Sequence, residues 1–85
     1  MLLFIKVKNV KAKENGILYV EFSNGITKIY NVRLLANKSP VFEAVLNDSV
    51  FFSVDVKEEG YGIIWNNSVG IPNDELWKNG VEVLV

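Results

Sequence analysis

The chain has 85 residues, nine basic and ten acidic side chains, a formal net charge of −1 and an apolar share of 49%. That is enough for one folded domain spanning residues 1–85, with a small core and a thin stability margin. With no Cys and no His, the chain lacks disulfides, thiol nucleophiles, zinc or haem ligation by those groups and imidazole acid–base chemistry, and its near-neutral balance gives no global field for nucleic acid or an anionic membrane.

The chain opens with Met1-Leu2-Leu3-Phe4-Ile5-Lys6, an apolar run closed by a lysine. It is too short for a signal-peptide core and lacks a basic leader. No stretch reaches the ~18–20 apolar residues of a membrane span. With zero cysteine this gives the expectation of a soluble, cytoplasmic protein with no membrane partner.

Strands are predicted over Ile5–Lys13, Ile17–Ser23 and Ile26–Val32, separated by Glu14-Asn15-Gly16 and Asn24-Gly25. Asn-Gly between alternating segments suits a type I′ hairpin turn, and the triplet suits a three-residue loop with Gly in the left-handed region. The three strands then form a meander whose turns set its register. The first loop puts Lys13 opposite Ile17, Lys11 opposite Tyr19 and Val10 opposite Val20. The second puts Ser23 opposite Ile26, Glu21 opposite Lys28, Val20 opposite Ile29 and Tyr19 opposite Tyr30. The predicted core face is Val10, Ala12, Leu18, Val20, Phe22 and Ile29. Ile5 and Val7 have the opposite parity to Val10 and Ala12, and a β-bulge near Lys8-Asn9 resolves the conflict. The bulge places Lys6, Lys8, Lys11 and Lys13 on one outer face, with Lys8 near Glu21.

A short helix is predicted over Ser39–Leu46, with Ser39 as N-cap, Pro40 at the first position and Asn47-Asp48 as its stop. Phe42, Val45 and Leu46 would lie on the sheet. Val50–Lys57 and Tyr61–Trp65 then read as a hairpin around Glu58-Glu59-Gly60. Its register pairs Val54 with Ile64 inside and leaves Tyr61, Ile63 and Trp65 outside, opposite Lys57, Asp55 and Ser53. A second short helix fits Asn73–Asn79, capped by Asn73 and closed by Gly80, and Val81–Val85 is strand-like. The fold class is α+β: a mostly antiparallel sheet, made of a three-strand meander plus a hairpin, with one helix on one face and a short C-terminal helix.

If all strands share one sheet, its second face holds Tyr19, Ile26, Tyr30, Val32, Phe51, Ile63 and Trp65. Two readings of that face follow. The chain's own Leu76, Trp77, Val81, Val83 and Val85 could cover it, or it is a surface for a protein partner or a second copy, since Tyr and Trp are enriched at contacts. Asn66-Asn67-Ser68-Val69-Gly70 is a surface loop with polar groups beside an aromatic.

Chemistry is sparse elsewhere. Asp48, Asp55 and Asp74 have ordinary structural roles in a turn, a cross-strand pair and a helix first turn. Glu58-Glu59 lacks the spaced oxygen ligands of a calcium loop, and no nucleotide or hydrolase motif is present. No enzyme activity, catalytic residue, metal or cofactor is expected. Lys6, Lys8, Lys11 and Lys13 beside Tyr19 and Tyr30 are also the composition of a sheet face that binds single-stranded nucleic acid, although strand lysines commonly guard an edge.

The segment Gly60-Tyr61-Gly62-Ile63-Ile64-Trp65-Asn66-Asn67, then Ile71, then Asp74-Glu75-Leu76-Trp77-Lys78-Asn79-Gly80, resembles the bacterial domain-of-unknown-function family 2442. The likeness extends to Asn24-Gly25, to Phe42 and Leu46, and to Phe51-Phe52. It implies a small α+β domain with no established active site. In some relatives a helix-turn-helix follows, and others imply toxin–antitoxin-like partnership with a neighbouring small protein. Family members tend to carry an acidic residue where Gly70 stands here, so a role resting on that carboxylate is not expected of this chain.

The functional expectation is a non-enzymatic protein-interaction or regulatory domain, an antitoxin-like partner or a homo-oligomer. Tyr19, Tyr30, Tyr61, Ile63 and Trp65 would be the apolar anchors, with Asn66 and Asn67 at the rim. The alternative is a nucleic-acid-binding module using Lys6, Lys8, Lys11 and Lys13.

Overall fold

A computed structural model describes residues 5–83. The expected Val81–Val85 strand therefore lies partly outside the described residues, as do Met1 to Phe4. Among the described residues, seven strands form two antiparallel sheets rather than one. The first has the order β1 (Val7–Ala12), β2 (Ile17–Phe22), β3 (Thr27–Asn31) and β7 (Val81–Glu82); the second is β4 (Asp55–Val56), β5 (Gly62–Ile64) and β6 (Gly70–Pro72). β1 lies alongside β4, so the sheets meet at that edge. Helices α1 (Arg33–Ala36), α2 (Pro40–Val45) and α3 (Asp48–Phe51) follow β3, and α4 (Asn73–Asn79) follows β6. The α+β class and the meander are as expected.

Parity within β1 forces the bulge. Val7 pairs with Phe22 and Asn9 with Glu21, so Lys8 is the inserted residue. Val10 opposite Val20 and Lys11 opposite Tyr19 follow the predicted register. The Lys8 ammonium stands 4.0 Å from the Glu21 carboxylate, where the bulge argument places it.

The β2–β3 register differs from the prediction by one residue. Phe22 N–H donates to Ile26 O at 2.8 Å, so the loop has three residues, Ser23 to Gly25, with Gly25 at φ +88°. Ser23 leaves the hairpin because Lys6 takes it: Ser23 N–H donates to Lys6 O at 2.7 Å and Lys6 N–H to Ser23 Oγ at 3.1 Å. A one-residue slip exchanges faces. Leu18 therefore pairs with Tyr30, and Tyr19 with Ile29. Tyr30 is interior, while Ile29, expected in the core, shares the outer face with Tyr19.

The predicted strand Val50–Lys57 is mostly not a strand. Asn47 starts a helix instead of stopping one, its Oδ1 accepting from Ser49 N–H at 3.0 Å. This capping draws Val50 and Phe51 into α3. After Glu58-Glu59-Gly60, Tyr61 stays in the turn and Lys57 N–H donates to Gly62 O at 2.9 Å. Asp55 thus pairs with Ile64 and Val56 with Ile63, again one residue from the prediction. Ile63 and Trp65 move from the expected outer face into the core, where they are 0% and 2% exposed.

That core joins Val7, Leu18, Val20, Phe22, Tyr30 and Val32 to Val45, Phe51, Ile63, Trp65, Ile71 and Leu76. Phe42, Leu46 and Trp77 pack on its margin. Trp65 stacks on Phe51 with centroids 6.4 Å apart, and its indole N–H donates to Phe51 O at 3.0 Å. α4 covers the inner side. Trp77 meets Phe22 edge-on at 5.1 Å, and the Lys28 ammonium lies 3.9 Å over its ring. Asn73 is not the cap of α4; its Nδ2 donates to Ile5 O at 2.8 Å and ties the helix to the start of β1.

Candidate functional site

The seven predicted partner residues do not share one surface. Tyr30, Ile63 and Trp65 are interior. The Tyr30 hydroxyl donates to Glu75 Oε2 at 2.7 Å, and the same oxygen accepts from Asn79 Nδ2 at 2.9 Å. Burial first, then the hydrogen bond to and the charge of Glu75, push the Tyr30 phenol well above the ordinary tyrosine range. Tyr61 is half exposed beside the second sheet, with the Lys6 ammonium 5.0 Å from its ring centroid. Asn66 and Asn67 are exposed in the β5–β6 loop, where Asn67 Oδ1 accepts from Val69 N–H at 3.2 Å. Tyr19 stands apart from all of these, on the outer face of the first sheet.

Register builds that outer face row by row. Lys11 opposes Tyr19, Tyr19 opposes Ile29, and Ile29 opposes Val81. One row thus crosses all four strands, with a lysine at one end and three apolar side chains after it. Tyr19 is 38% exposed and Val81 69%. Ile17 and Asn31 form the row on one side of it, and Asn9, Glu21 and Thr27 the row on the other. Tyr19 carries the Lys13 ammonium 5.5 Å from its ring centroid. Of the predicted lysine stripe, Lys8, Lys11 and Lys13 stay with this face, and Lys6 turns to Tyr61. Leu76 and Trp77, considered as cover for this face, pack on the inner one, and Val81 extends it instead of covering it.

Round the Lys13–Gly16 turn, the same end of the molecule opens into a cleft of about 690 Å³. Its floor is Leu46, Phe51 and Phe52, and Lys13, Glu14, Arg33 and Asp48 stand around it. Gly16, at φ +75°, is the contact point. A Cβ there would lie 2.8 Å from Arg33 Cγ and 3.0 Å from Leu46 Cδ2, so the Arg33 stem rests directly on the glycine. Phe52 is 55% exposed and meets Phe51 edge-on at 5.6 Å. Lys13 also borders the hollow beside Ile17 and Tyr19, which makes cleft and sheet face neighbours. Arg33 and Phe52 carry no motif in the sequence, and the adjacent pair Phe51-Phe52 enters its reading only as sheet-face and family residues; in the structure it splits, Phe51 turning inward and Phe52 outward.

The carboxylates serve local structure. Asp55 Oδ1 accepts from Val56 N–H at 2.8 Å and Asp74 Oδ1 from Glu75 N–H at 2.9 Å. Among the described residues no group of three or more Asp or Glu is placed to hold a metal ion, and no helix is long and apolar enough to cross a membrane.

A family model described as "Protein of unknown function (DUF2442)" matches residues 7–82. No curated protein and no solved structure matches the chain.

Proposed function

Because the chain belongs to this family of unknown function, we propose from its surface that it is a non-enzymatic protein-association module whose contact face is the outer side of the four-stranded sheet. The row Tyr19–Ile29–Val81 carries the reading. It is a contiguous apolar strip on a regular sheet, flanked by Lys11, Lys13 and Glu21, which matches the aromatic-centred, charge-rimmed composition of contact surfaces. A protein partner of the antitoxin-like kind, or a second copy of the chain, would lay an apolar strip of its own along this row. The lack of cysteine suits work in the reducing cytoplasm.

Sedimentation equilibrium over a range of concentrations, alone and with the product of the neighbouring gene, tests the reading. Association that is insensitive to salt and weakened at least roughly tenfold in a Tyr19→Lys, Val81→Lys double variant is the expected result. A strict monomer that ignores the neighbour's product overturns it.

The arrangement of Lys11 and Lys13 around Tyr19 favours one second reading, a nucleic-acid face that stacks a base on Tyr19 and neutralises phosphates with Lys8, Lys11 and Lys13. That reading requires affinity for single-stranded DNA or RNA to fall with salt, with a log–log slope of about −2 for three phosphate contacts.

A further inference from the structure

We propose that the cleft under the Lys13–Gly16 turn is a second recognition site, which takes a short peptide segment of a partner protein carrying an apolar residue between an acidic and a basic one. The site goes beyond the sheet-face contact and does not depend on it. Its chemistry defines the ligand. Two cations, Lys13 and Arg33, and two carboxylates, Glu14 and Asp48, surround an apolar floor. Among the described residues the one ion pair is Lys8 with Glu21, so none of these four charges is held in a direct salt bridge. A polyanion would meet two carboxylates along with the cations, and a polycation the reverse. A mixed-charge peptide satisfies both sets at once, its acidic side chain on the Arg33 fork and its basic one at Asp48.

The cleft is also prepared for binding. The Arg33 stem passes over Gly16, where a Cβ would meet its Cγ at 2.8 Å and its Cδ at 3.3 Å, so the missing side chain leaves the stem room to lie along the cleft wall. Phe52, half exposed and propped by Phe51, offers an aromatic surface to the apolar residue. A volume of about 690 Å³ lies within the roughly 300–1,000 Å³ of ligand-sized sites.

The test uses the full chain labelled for amide NMR and a capped hexapeptide with leucine and phenylalanine between a glutamate and a lysine. Controls carry two glutamates or two lysines at the charged positions, and oligodeoxythymidine is the nucleic-acid probe. The expected result is movement of the Gly16, Arg33 and Phe52 amides with the mixed-charge peptide, and affinity about tenfold weaker for either control peptide. Arg33→Gln, Asp48→Asn and Phe52→Ala, all at exposed positions, each weaken it by a similar factor while the amide spectrum stays folded. A Val81→Lys variant, altered on the sheet face alone, keeps the peptide affinity whatever happens to its association. Absence of movement at those amides, equal affinity for all three peptides, or stronger binding of the oligonucleotide overturns the proposal.

Discussion

Two turns of this protein are built alike and lead to different ends. Glu14-Asn15-Gly16 and Glu58-Glu59-Gly60 both place their middle residue in the left-handed region, at φ 63° and 61°, and both follow with glycine, at φ 75° and 78°. After the first, Lys13 N–H meets Ile17 O and pairing resumes at once; after the second, Lys57 N–H meets Gly62 O and Tyr61 is passed over. The first hairpin therefore keeps one face in water and sends Tyr19 outward. The second turns Ile63 and Trp65 inward. One residue at a turn decides whether an aromatic serves the core or the surface.

The largest effect separating the two hairpins belongs to Trp65. Trp65→Ala removes a stacked, hydrogen-bonded indole from the interior and costs about 3–5 kcal/mol. That is a large share of the roughly 4–13 kcal/mol expected for a domain of this length. Urea titration reads the loss as a fall in midpoint. A cost below about 1 kcal/mol would place Trp65 outside the core and break the comparison.

The twin glycines come next. A methyl on Gly60 would stand 2.6 Å from Val7 O, a backbone atom of the adjoining strand, whereas on Gly16 it would meet the flexible stem of Arg33 at 2.8 Å. Both substitutions carry the left-handed penalty of about 1–2 kcal/mol. Gly60→Ala adds a clash that no side-chain rotation relieves, for about 3 kcal/mol in all. The same urea titrations should rank Gly60→Ala well below Gly16→Ala in stability; equal losses would mean that the second turn is free to shift away from β1.

What the sequence made legible follows the same division. The bulge at Lys8 could be read because Val7 and Val10 conflict in parity within one strand, and the first hairpin's register followed from a local turn. Tyr30 and Ile29 exchanged faces because Lys6, far along the chain, captures Ser23, a tertiary event with no local signature. Asn47 was legible as a helix boundary but not as a beginning, since capping residues mark both loops and starts. Family membership was carried by Trp65 and Leu76-Trp77, both anchored in the core. The cleft was not legible, because Lys13, Arg33, Leu46 and Phe52 come from four separate segments that only packing assembles.

Tyr30 tests the inward face of the first hairpin against its outward one. Tyr30→Phe removes the hydrogen bond to Glu75 while Asn79 still holds that carboxylate, and costs about 2 kcal/mol. The pH dependence has a definite sign. Folding raises this phenol above its ordinary value of about 10, so the stabilisation is complete below pH ~10 and declines as alkaline titration of the unfolded chain begins. Thermal melts from neutral pH to above pH ~10 should show wild type losing more stability than Tyr30→Phe; parallel curves would deny Tyr30 its interior partner.

The smallest expected stability effect is the one that separates structure from recognition most clearly. Tyr19 faces water across from Ile29, with the Lys13 ammonium over its ring. Tyr19→Thr keeps a strand-compatible side chain and gives up a cross-strand pair and an exposed cation–π contact, for about 0.5–1 kcal/mol. The urea midpoint should therefore barely move. Concentration-dependent sedimentation, alone or with a protein partner, should change much more, because Tyr19 is the aromatic centre of the row that ends at Val81. If Tyr19→Thr destabilises the fold as severely as Trp65→Ala, the outer row is packing rather than contact surface, and the two hairpins differ in register but not in task.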